Sequence, residues 1–256
     1  MGKIIAIVNQ KGGVGKTTTA VNLAAALGAR GKKCLLVDID PQGNTTSGYG
    51  IPKRELERSS YEMLLGEITA QQAIVQTKFK NVSVIPSNVN LSGAEVELIE
   101  LQNRESRLKT ALAAVRDEYS YILLDCPPSL GMVTVNGLVA ADTLLVPIQC
   151  EYYALEGLSQ LMKTVRQIKQ KYNPQVDIEG VLLTMYDGRL NLTQQVVAEI
   201  KRFFPKKVFS SVIPRSVRLS EAPSYGEPIM YYDPRGKGTA AYADLAKEVC
   251  RNNKGI

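Results

Sequence analysis

Three glycines and two lysines lie between the first apolar run of the chain and its first helical pattern. The loop follows the run IIAIVNQ and reads Lys11-Gly12-Gly13-Val14-Gly15-Lys16-Thr17-Thr18. Such glycines let successive backbone N–H groups point at one anion, and the N-terminus of the following helix adds a positive dipole. In this pattern Lys16 reaches the β- and γ-phosphates of a nucleotide, and Thr17 offers its hydroxyl to Mg²⁺. The stretch therefore predicts an ATP-binding loop of Walker A type.

Lys11 distinguishes this loop from the common form G-x-x-x-x-G-K-[ST], which fails here because position 10 is Gln10. The fit is to the variant K-G-G-x-G-K-T. Lys16 already supplies one cation to the phosphates, so a second lysine this close is repelled unless it serves a different phosphate group. We therefore predict that Lys11 contacts the phosphates of a nucleotide held by a second copy of the chain, as an arginine finger does. The prediction implies a homodimer with nucleotide between its subunits.

Two further segments place carboxylates at the ends of apolar runs. The run KKCLLVD leads into the segment DIDPQGN, which contains Asp38 and Asp40, and the run YILLD ends at Asp125. Because the carboxyl ends of parallel strands meet at one edge of a sheet, these acids are expected beside the γ-phosphate. We assign Asp40 to the attacking water and Asp125, as the Walker B acid, to Mg²⁺. Asp38 is expected to support the loop or Mg²⁺ at longer range, so the predicted metal set is Thr17, Asp40 and Asp125.

The composition excludes several other kinds of chemistry. The 256 residues include no histidine, which excludes a histidine general base, imidazole ligands to zinc and a haem held by a proximal histidine. The four cysteines form no C-x-x-C pair. The chain also shows no signal peptide and no apolar run long enough to span a membrane, so a cytoplasmic protein that binds no membrane is expected.

The basic charge is concentrated in the last third of the chain. The net charge is +6, with 15 Lys and Arg against 16 Asp and Glu in residues 1–162, and 16 against 9 in residues 163–256. This asymmetry makes an acidic polymer a candidate partner, and the alternative is a solvated basic surface that aids solubility.

The elements that must position these residues alternate between short apolar runs and amphipathic stretches. This alternation predicts an α/β fold over a single domain, residues 1–256, with a mostly parallel twisted sheet and helices on both faces. Seven strands are predicted, at Lys3–Asn9, Lys33–Asp38, Val82–Pro86, Tyr121–Asp125, Thr143–Pro147, Ile178–Thr184 and Lys207–Ile213. Helical spacing favours Thr17–Arg30, Arg104–Glu118, Leu155–Lys171, Thr193–Phe203 and Thr239–Arg251. Ile39–Ser60 and Pro86–Gly93 lack a clear period and are predicted as loops.

Six segments of the chain resemble the ParA/Soj family of chromosome- and plasmid-partitioning ATPases. They are KGGVGKTT, LLVDIDPQGN, YILLDCPPSLG, PIQCEYYALEGLSQL, GVLLTMYDGR and VIPRSVRLSEAPSYGEPIMYYDPRGKG. The resemblance implies that ATP and Mg²⁺ drive a sandwich dimer, that the dimer coats nucleoid DNA without sequence preference, and that a ParB-type partner stimulates hydrolysis to ADP and phosphate. Because Lys11 lies so near the N-terminus, the short chromosomal Soj type is expected.

The same resemblance implies residues that contact adenine and DNA. The family segment I-P-R-N-V-R-L reads here IPRSVRL, which places Pro214 and Ser216 beside the base. Met185 either lines the base pocket or is a core methionine. The family's basic positions fall on Arg189 and Arg218, with further contributors at Lys201, Arg202, Lys206 and Lys207. Contacts from these residues to phosphates would be salt-dependent and blind to sequence, although Lys201 and Arg202 also suit the negative end of a helix dipole.

Other proteins that use this kind of loop are alternatives. A MinD-like, membrane-associated regulator needs a C-terminal amphipathic helix, which Arg251–Ile256 does not supply. An iron–sulfur carrier of the nitrogenase iron-protein type needs converging cysteines, and Cys126 has no companion in the sequence. A tyrosine kinase needs a C-terminal tyrosine cluster, of which Tyr231 and Tyr232 form only a pair. A metabolic ligase with this loop does not explain Lys11 together with the basic last third.

Overall fold

A single eight-stranded sheet forms the centre of the molecule. The computed structural model describes residues 1–151 and 154–256, so Tyr152 and Tyr153 of one family-like segment lie outside the described residues. The strands are β1 (Lys3–Ile7), β2 (Cys34–Asp38), β3 (Val75–Gln76), β4 (Val82–Ile85), β5 (Tyr121–Asp125), β6 (Thr143–Gln149), β7 (Asp177–Tyr186) and β8 (Val208–Pro214). Their order is β3-β4-β2-β5-β1-β6-β7-β8, and β3 alone of the described strands runs antiparallel to its neighbour. The predicted mostly parallel α/β sheet is confirmed.

Helices cover both faces of the sheet. They are α1 (Lys16–Ala29), α2 (Asn44–Gly48), α3 (Ser60–Leu65), α4 (Ala70–Ala73), α5 (Ala94–Glu97), α6 (Arg107–Ala113), α7 (Met132–Ala140), α8 (Ala154–Lys171), α9 (Asn191–Phe203), α10 (Val217–Glu221), α11 (Ile229–Tyr232) and α12 (Lys237–Asn252). Alternate residues of β1 enter opposite cores, because side chains point to alternate faces of a strand. Ile5 belongs to the hydrophobic core that also contains residues of α1 and α12, whereas Ile4 belongs to the core that contains residues of α6, α7 and α8. In the part of the chain that the structure describes, no helix combines the length and apolar character needed to cross a bilayer.

The register of the central strands brings the predicted acids together. Asp125, the last residue of β5, is paired with Ile7 of β1 on one side and with Asp38 of β2 on the other. The loop that follows β1 therefore begins at the same sheet edge at which both carboxylates end. The order of the strands also reverses next to β1, and open α/β sheets bind ligands at such a point.

The sequence patterns do not predict several helices correctly. The predicted loop 39–60 contains α2, whose five residues are too few to show a period. Helix α7 is buried on nearly all sides, so it lacks the polar face that marks an amphipathic helix. The helix predicted over Arg104–Glu118 is shorter, because α6 ends at Ala113 and a separate 3₁₀ turn forms at Arg116–Glu118.

Gly28 allows α1 to lie close against the chain before β4, and its replacement by alanine should destabilise the fold. A Cβ at Gly28 would lie 2.3 Å from the Lys80 carbonyl oxygen and 2.9 Å from Val82 Cγ2. Because a backbone carbonyl cannot rotate away, we expect Gly28→Ala to lower the free energy of unfolding by about 2 kcal/mol, measured by urea denaturation. Gly157→Ala is the matched control. Among the described residues, the nearest neighbour of a Cβ there would be Asn9 Oδ1 at 3.9 Å, so stability should hold or rise. Equal effects of the two substitutions would contradict the prediction.

Candidate nucleotide site

A cavity of about 750 Å³ opens around the loop between β1 and α1. One end is lined by the predicted phosphate-binding residues with their neighbours: Gly12, Gly13, Gly15, Lys16, Thr17, Thr18, Asp40, Gln42, Asn44 and Pro128. The remaining lining residues are Thr184, Met185, Ile213, Pro214, Arg215, Ser216, Val217, Leu219, Ser220, Pro223 and Tyr242. The structure thus brings six of the eight predicted loop residues, Asp40, Met185, Pro214 and Ser216 into one cavity. Its volume is in the range of small-molecule and cofactor sites.

Helix α1 presents free backbone donors to this cavity. Its N-cap is Gly15, no side chain caps it, and no acidic residue lies in its first turn. The first N–H groups of a helix have no partner within the helix, so an uncapped N-terminus suits an anion. Lys16 lies in this turn, and its Nζ donates to the Lys11 carbonyl at 3.1 Å. Burial lowers the pKa of Lys16, while the nearby charges of Asp125 and Asp40 act in the opposite direction.

Two contacts that the sequence analysis missed hold the loop in place. Thr184 Oγ1 on β7 donates to the Val14 carbonyl at 2.8 Å, and the Val14 side chain is buried outside the cavity. Asn9 accepts the Lys11 N–H at 3.0 Å through Oδ1 and donates to the Pro147 carbonyl at 2.8 Å through Nδ2. The position of Asn9 just before the loop was a usable signal. Thr184 is distant in sequence and gave none.

The Lys11 side chain points away from the cavity that its own loop forms. Its Nζ lies 2.5 Å from Glu151 Oε2, just beyond β6, and Lys11 is not among the residues that line the cavity. The ion pair is partly exposed, with 34% of the Lys11 side chain and 47% of the Glu151 side chain accessible. An exposed pair of this kind contributes little stability, so Lys11 is free to change partner at small cost.

Asp40 lines the cavity, and Asp38 supports the loop beneath it. Asp40 is 8% exposed, and its Oδ1 accepts the Gln42 N–H at 2.9 Å. Asp38 is fully buried, and its Oδ2 accepts from Thr46 N at 2.9 Å and from Thr46 Oγ1 at 2.7 Å. Asp38 Oδ1 also accepts the Asp40 N–H at 3.2 Å. These contacts fix the backbone of the segment that carries Asp40, which is one of the two roles expected for Asp38.

Asp125 has one carboxylate oxygen in use and one without a partner. Its Oδ2 accepts from Thr45 Oγ1 at 2.8 Å, whereas its buried Oδ1 has no hydrogen-bond partner among the described residues. Burial, and then the charge of Asp38, raise the pKa of Asp125, and burial also raises the pKa of Asp38. Two buried carboxylates on adjacent strands favour a cation nearby, so this donor set fits Mg²⁺.

The magnesium ion would arrive with the nucleotide rather than be held by a protein cage. In the described ranges no group of three acidic or cysteine residues is placed to hold a metal. Mg²⁺ is commonly bound by one or two carboxylates together with substrate phosphates. Asp125 and Thr17 would hold it here, with Asp40 at the cavity wall, and the bound ion would neutralise charge on the β- and γ-phosphates. Cys126 next to this site is fully buried, and burial raises the pKa of its thiol.

The basic residues expected to contact DNA lie on the surface, outside the cavity. Arg189 makes a two-pronged ion pair with Asp187, with Nε–Oδ1 and Nη2–Oδ2 distances of 2.9 and 2.7 Å. Its hydrogen bonds lower the pKa of Asp187 to about 2. Arg218 Nη1 pairs with Glu221 Oε2 at 3.0 Å. Lys201 and Arg202 are exposed in the last turn of α9, where they also suit the helix dipole. Of the two further contributors, Lys206 is exposed and Lys207 pairs with Asp177 at 3.0 Å.

Comparison with protein families and curated sequences gives consistent matches. The model of a family described as an AAA domain matches residues 2–178. The sporulation initiation inhibitor protein Soj of Bacillus subtilis is 58% identical over 252 residues, which are 98% of this chain and 100% of that protein. The chromosome partitioning protein ParA of Myxococcus xanthus is 51% identical over 253 residues, 99% of this chain and 89% of that protein.

Solved structures with the same fold include one with bound ADP and magnesium. Cobyrinic acid a,c-diamide synthase from Mycobacterium smegmatis, with bound ADP and magnesium, has a TM-score of 0.88 and 36% identity, covering 100% of this chain and 96% of that chain. The cell division ATPase MinD of Pyrococcus furiosus has a TM-score of 0.80 and 29% identity, covering 98% and 99% of the two chains. The fold is therefore shared by proteins whose names describe different roles, and the named curated relatives are partition and sporulation proteins.

Proposed function

Because the chain belongs to the ParA/Soj family of chromosome-partitioning ATPases, we propose that it is the nucleotide switch of a partition system. In this proposal ATP with Mg²⁺ joins two copies into a sandwich dimer, and the dimer binds double-stranded DNA of the nucleoid without sequence preference. A ParB-type protein that binds the centromere then stimulates hydrolysis to ADP and phosphate. Hydrolysis returns the protein to its DNA-free form.

The orientation of Lys11 carries the proposal. A lysine that begins the phosphate loop, yet points out of the cavity toward Glu151, cannot serve the nucleotide of its own chain from that position. A second subunit placed face to face across the cavity would offer it a phosphate group. Such an arrangement makes the complete site depend on two copies, so ATP binding favours assembly.

Within one subunit, the remaining cavity residues have separate roles in hydrolysis. The N–H groups at the start of α1 and the Lys16 ammonium bind the phosphates. Asp40 orients the attacking water and accepts its proton, because it is the one carboxylate among the described residues that line the cavity. Intrinsic hydrolysis should be slow until a partner orders this site.

Substitutions of the two members of the surface ion pair Arg189–Asp187 should change the affinity for DNA in opposite directions. Arg189→Ala removes a phosphate contact, so it should weaken binding of random-sequence duplex DNA and reduce the salt slope by about one. Asp187→Asn frees the same guanidinium and removes a repelling charge, so it should strengthen binding by about threefold at low salt. Both effects are measured by fluorescence anisotropy with Mg-ATP, at low and moderate salt.

The same titrations with Mg-ADP and without nucleotide test the switch itself. Binding should be strong with ATP only. Asp117→Asn is the control for net charge, because Asp117 is 83% exposed and lies outside the basic last third. Binding that ignores nucleotide, or an equal gain from Asp117→Asn, would contradict the proposal. Sedimentation with anionic vesicles under the same conditions tests the MinD-like alternative.

A further inference from the structure

A carboxylate from a distant segment caps the helix that follows the Walker B strand. Glu95 Oε2 accepts the Met132 N–H at 2.6 Å, and Glu95 Oε1 accepts the Val133 N–H at 3.4 Å. Helix α7 has no acidic residue in its own first turn, and its N-cap, Gly131, has no side chain. Glu95 on α5 therefore supplies the negative charge and the acceptors that this helix N-terminus lacks.

Gly131 leaves the space that Glu95 occupies. A Cβ at Gly131 would lie 2.3 Å from Glu95 Oε2 and 2.5 Å from Oε1. The backbone of Gly131 has φ −76° and ψ −172°, an extended conformation that alanine also adopts. The glycine is thus required by the approach of the carboxylate, and the backbone by itself would accept alanine.

The segment that carries Glu95 contacts both loops at the phosphate end of the cavity. Residues 126–131 lead from Asp125 to α7, and Pro128 in this loop lines the cavity. At the other end of the segment, Ser87 Oγ donates to the Asp40 carbonyl at 2.9 Å, and Ser87 N donates to Thr46 Oγ1 at 2.8 Å. One continuous stretch, residues 87–95, therefore ties the Asp40 loop to the loop that follows Asp125.

We propose that Glu95 is a positioning residue for ATP hydrolysis. By capping α7 it holds loop 126–131, and Pro128 with it, in a fixed position relative to Asp40. Glu95 does not line the cavity, so it acts through the loop rather than on the nucleotide. Rates of hydrolysis are sensitive to displacements of about 1 Å in the groups around the reacting atoms, whereas binding of the nucleotide as a whole is less so. The proposal rests on ATP hydrolysis at this site and does not require DNA binding.

A double-mutant cycle between Glu95 and Gly131 tests the proposal. Glu95→Ala removes the cap, and Gly131→Ala displaces it, so each should lower kcat about tenfold while KM for Mg-ATP stays within about twofold. In the double variant the alanine at position 131 meets no carboxylate, so kcat should be no lower than in Glu95→Ala alone. Glu97→Ala is the matched control, because Glu97 lies on the same helix but accepts from Tyr61 Oη and not from α7. Its kcat should equal that of the wild type.

The melting temperature and the affinity for a fluorescent ATP analogue are measured for each variant. A merely structural cap would lower the melting temperature and leave kcat unchanged at temperatures where the variant is folded. A kcat for Glu95→Ala within twofold of the wild type would overturn the proposal. So would a double variant whose kcat is lowered by the product of the two factors measured for the single variants. Wild-type protein that binds the analogue without turnover would instead contradict the premise of hydrolysis. If Glu95→Ala does not fold, Glu95→Gln takes its place, with kcat about threefold lower expected and an unchanged kcat overturning the proposal.

Discussion

Replacing Asp40 with asparagine should lower the rate of ATP hydrolysis by about 100- to 1,000-fold and leave ATP binding nearly unchanged. Asp40 is the one carboxylate among the described cavity-lining residues, and it lies with Lys16 and Thr17 at the phosphate end. Asparagine keeps an oxygen that can accept the Gln42 N–H, so the turn at residue 40 is preserved. What it loses is the negative charge that, in the proposed function, orients the water and accepts its proton.

Phosphate release under single-turnover conditions measures the hydrolysis step, and equilibrium titration with a fluorescent ATP analogue measures binding. Asp187→Asn is the matched control, because it makes the same chemical change at a partly exposed carboxylate outside the cavity. Its turnover should equal that of the wild type. If Asp40→Asn retained more than about a tenth of the wild-type rate, the water-activating role would belong to another group.

The convergence of Asp38, Asp40 and Asp125 was predictable because it follows from strand geometry. Each acid comes at or just after the end of an apolar run, and parallel strands bring such ends to one sheet edge. The observed pairing of Asp125 with Asp38 and Ile7 is the register that this argument requires. The phosphate loop was predictable for the same reason, since it must begin where β1 ends. Local sequence thus determines which residues reach this edge.

The residues that hold the site in place could not be predicted in the same way. Thr184, Glu95 and Glu151 each contact a partner from which they are far separated in sequence: Val14, the α7 N-terminus and Lys11. Such pairings depend on how the helices pack, and a single sequence carries no local pattern for them. Thr45 and Thr46 are different, because they follow Asp40 closely and their hydroxyls bond Asp125 and Asp38. Adjacent hydroxyls after an acidic loop were an available signal.

Replacing Lys11 with alanine should lower ATP turnover by about 1,000-fold, the effect of removing a cationic finger supplied by a neighbouring subunit. In the single chain, the Lys11 side chain pairs with Glu151, and Lys11 is not among the residues that line its own cavity. The loop itself should persist, because the Asn9 contact to Lys11 uses the backbone N–H and the Lys16 contact uses the carbonyl. ATP binding to the variant should therefore change much less than turnover, and phosphate release at saturating Mg-ATP measures the loss.

Mixing two inactive variants separates a role in the partner's site from a role in the lysine's own site. A mixed dimer of Lys11→Ala and Asp40→Asn has one site with an intact Asp40 facing an intact Lys11 from the other subunit. Random pairing makes about half of the dimers mixed, each with one complete site of two, so an equimolar mixture should regain about a quarter of wild-type turnover. Pairing Asp40→Asn with a variant that carries both substitutions provides the control, because no complete site can form. Turnover in the first mixture that did not exceed the control would place Lys11 in its own subunit's site, and the two-subunit site would be wrong.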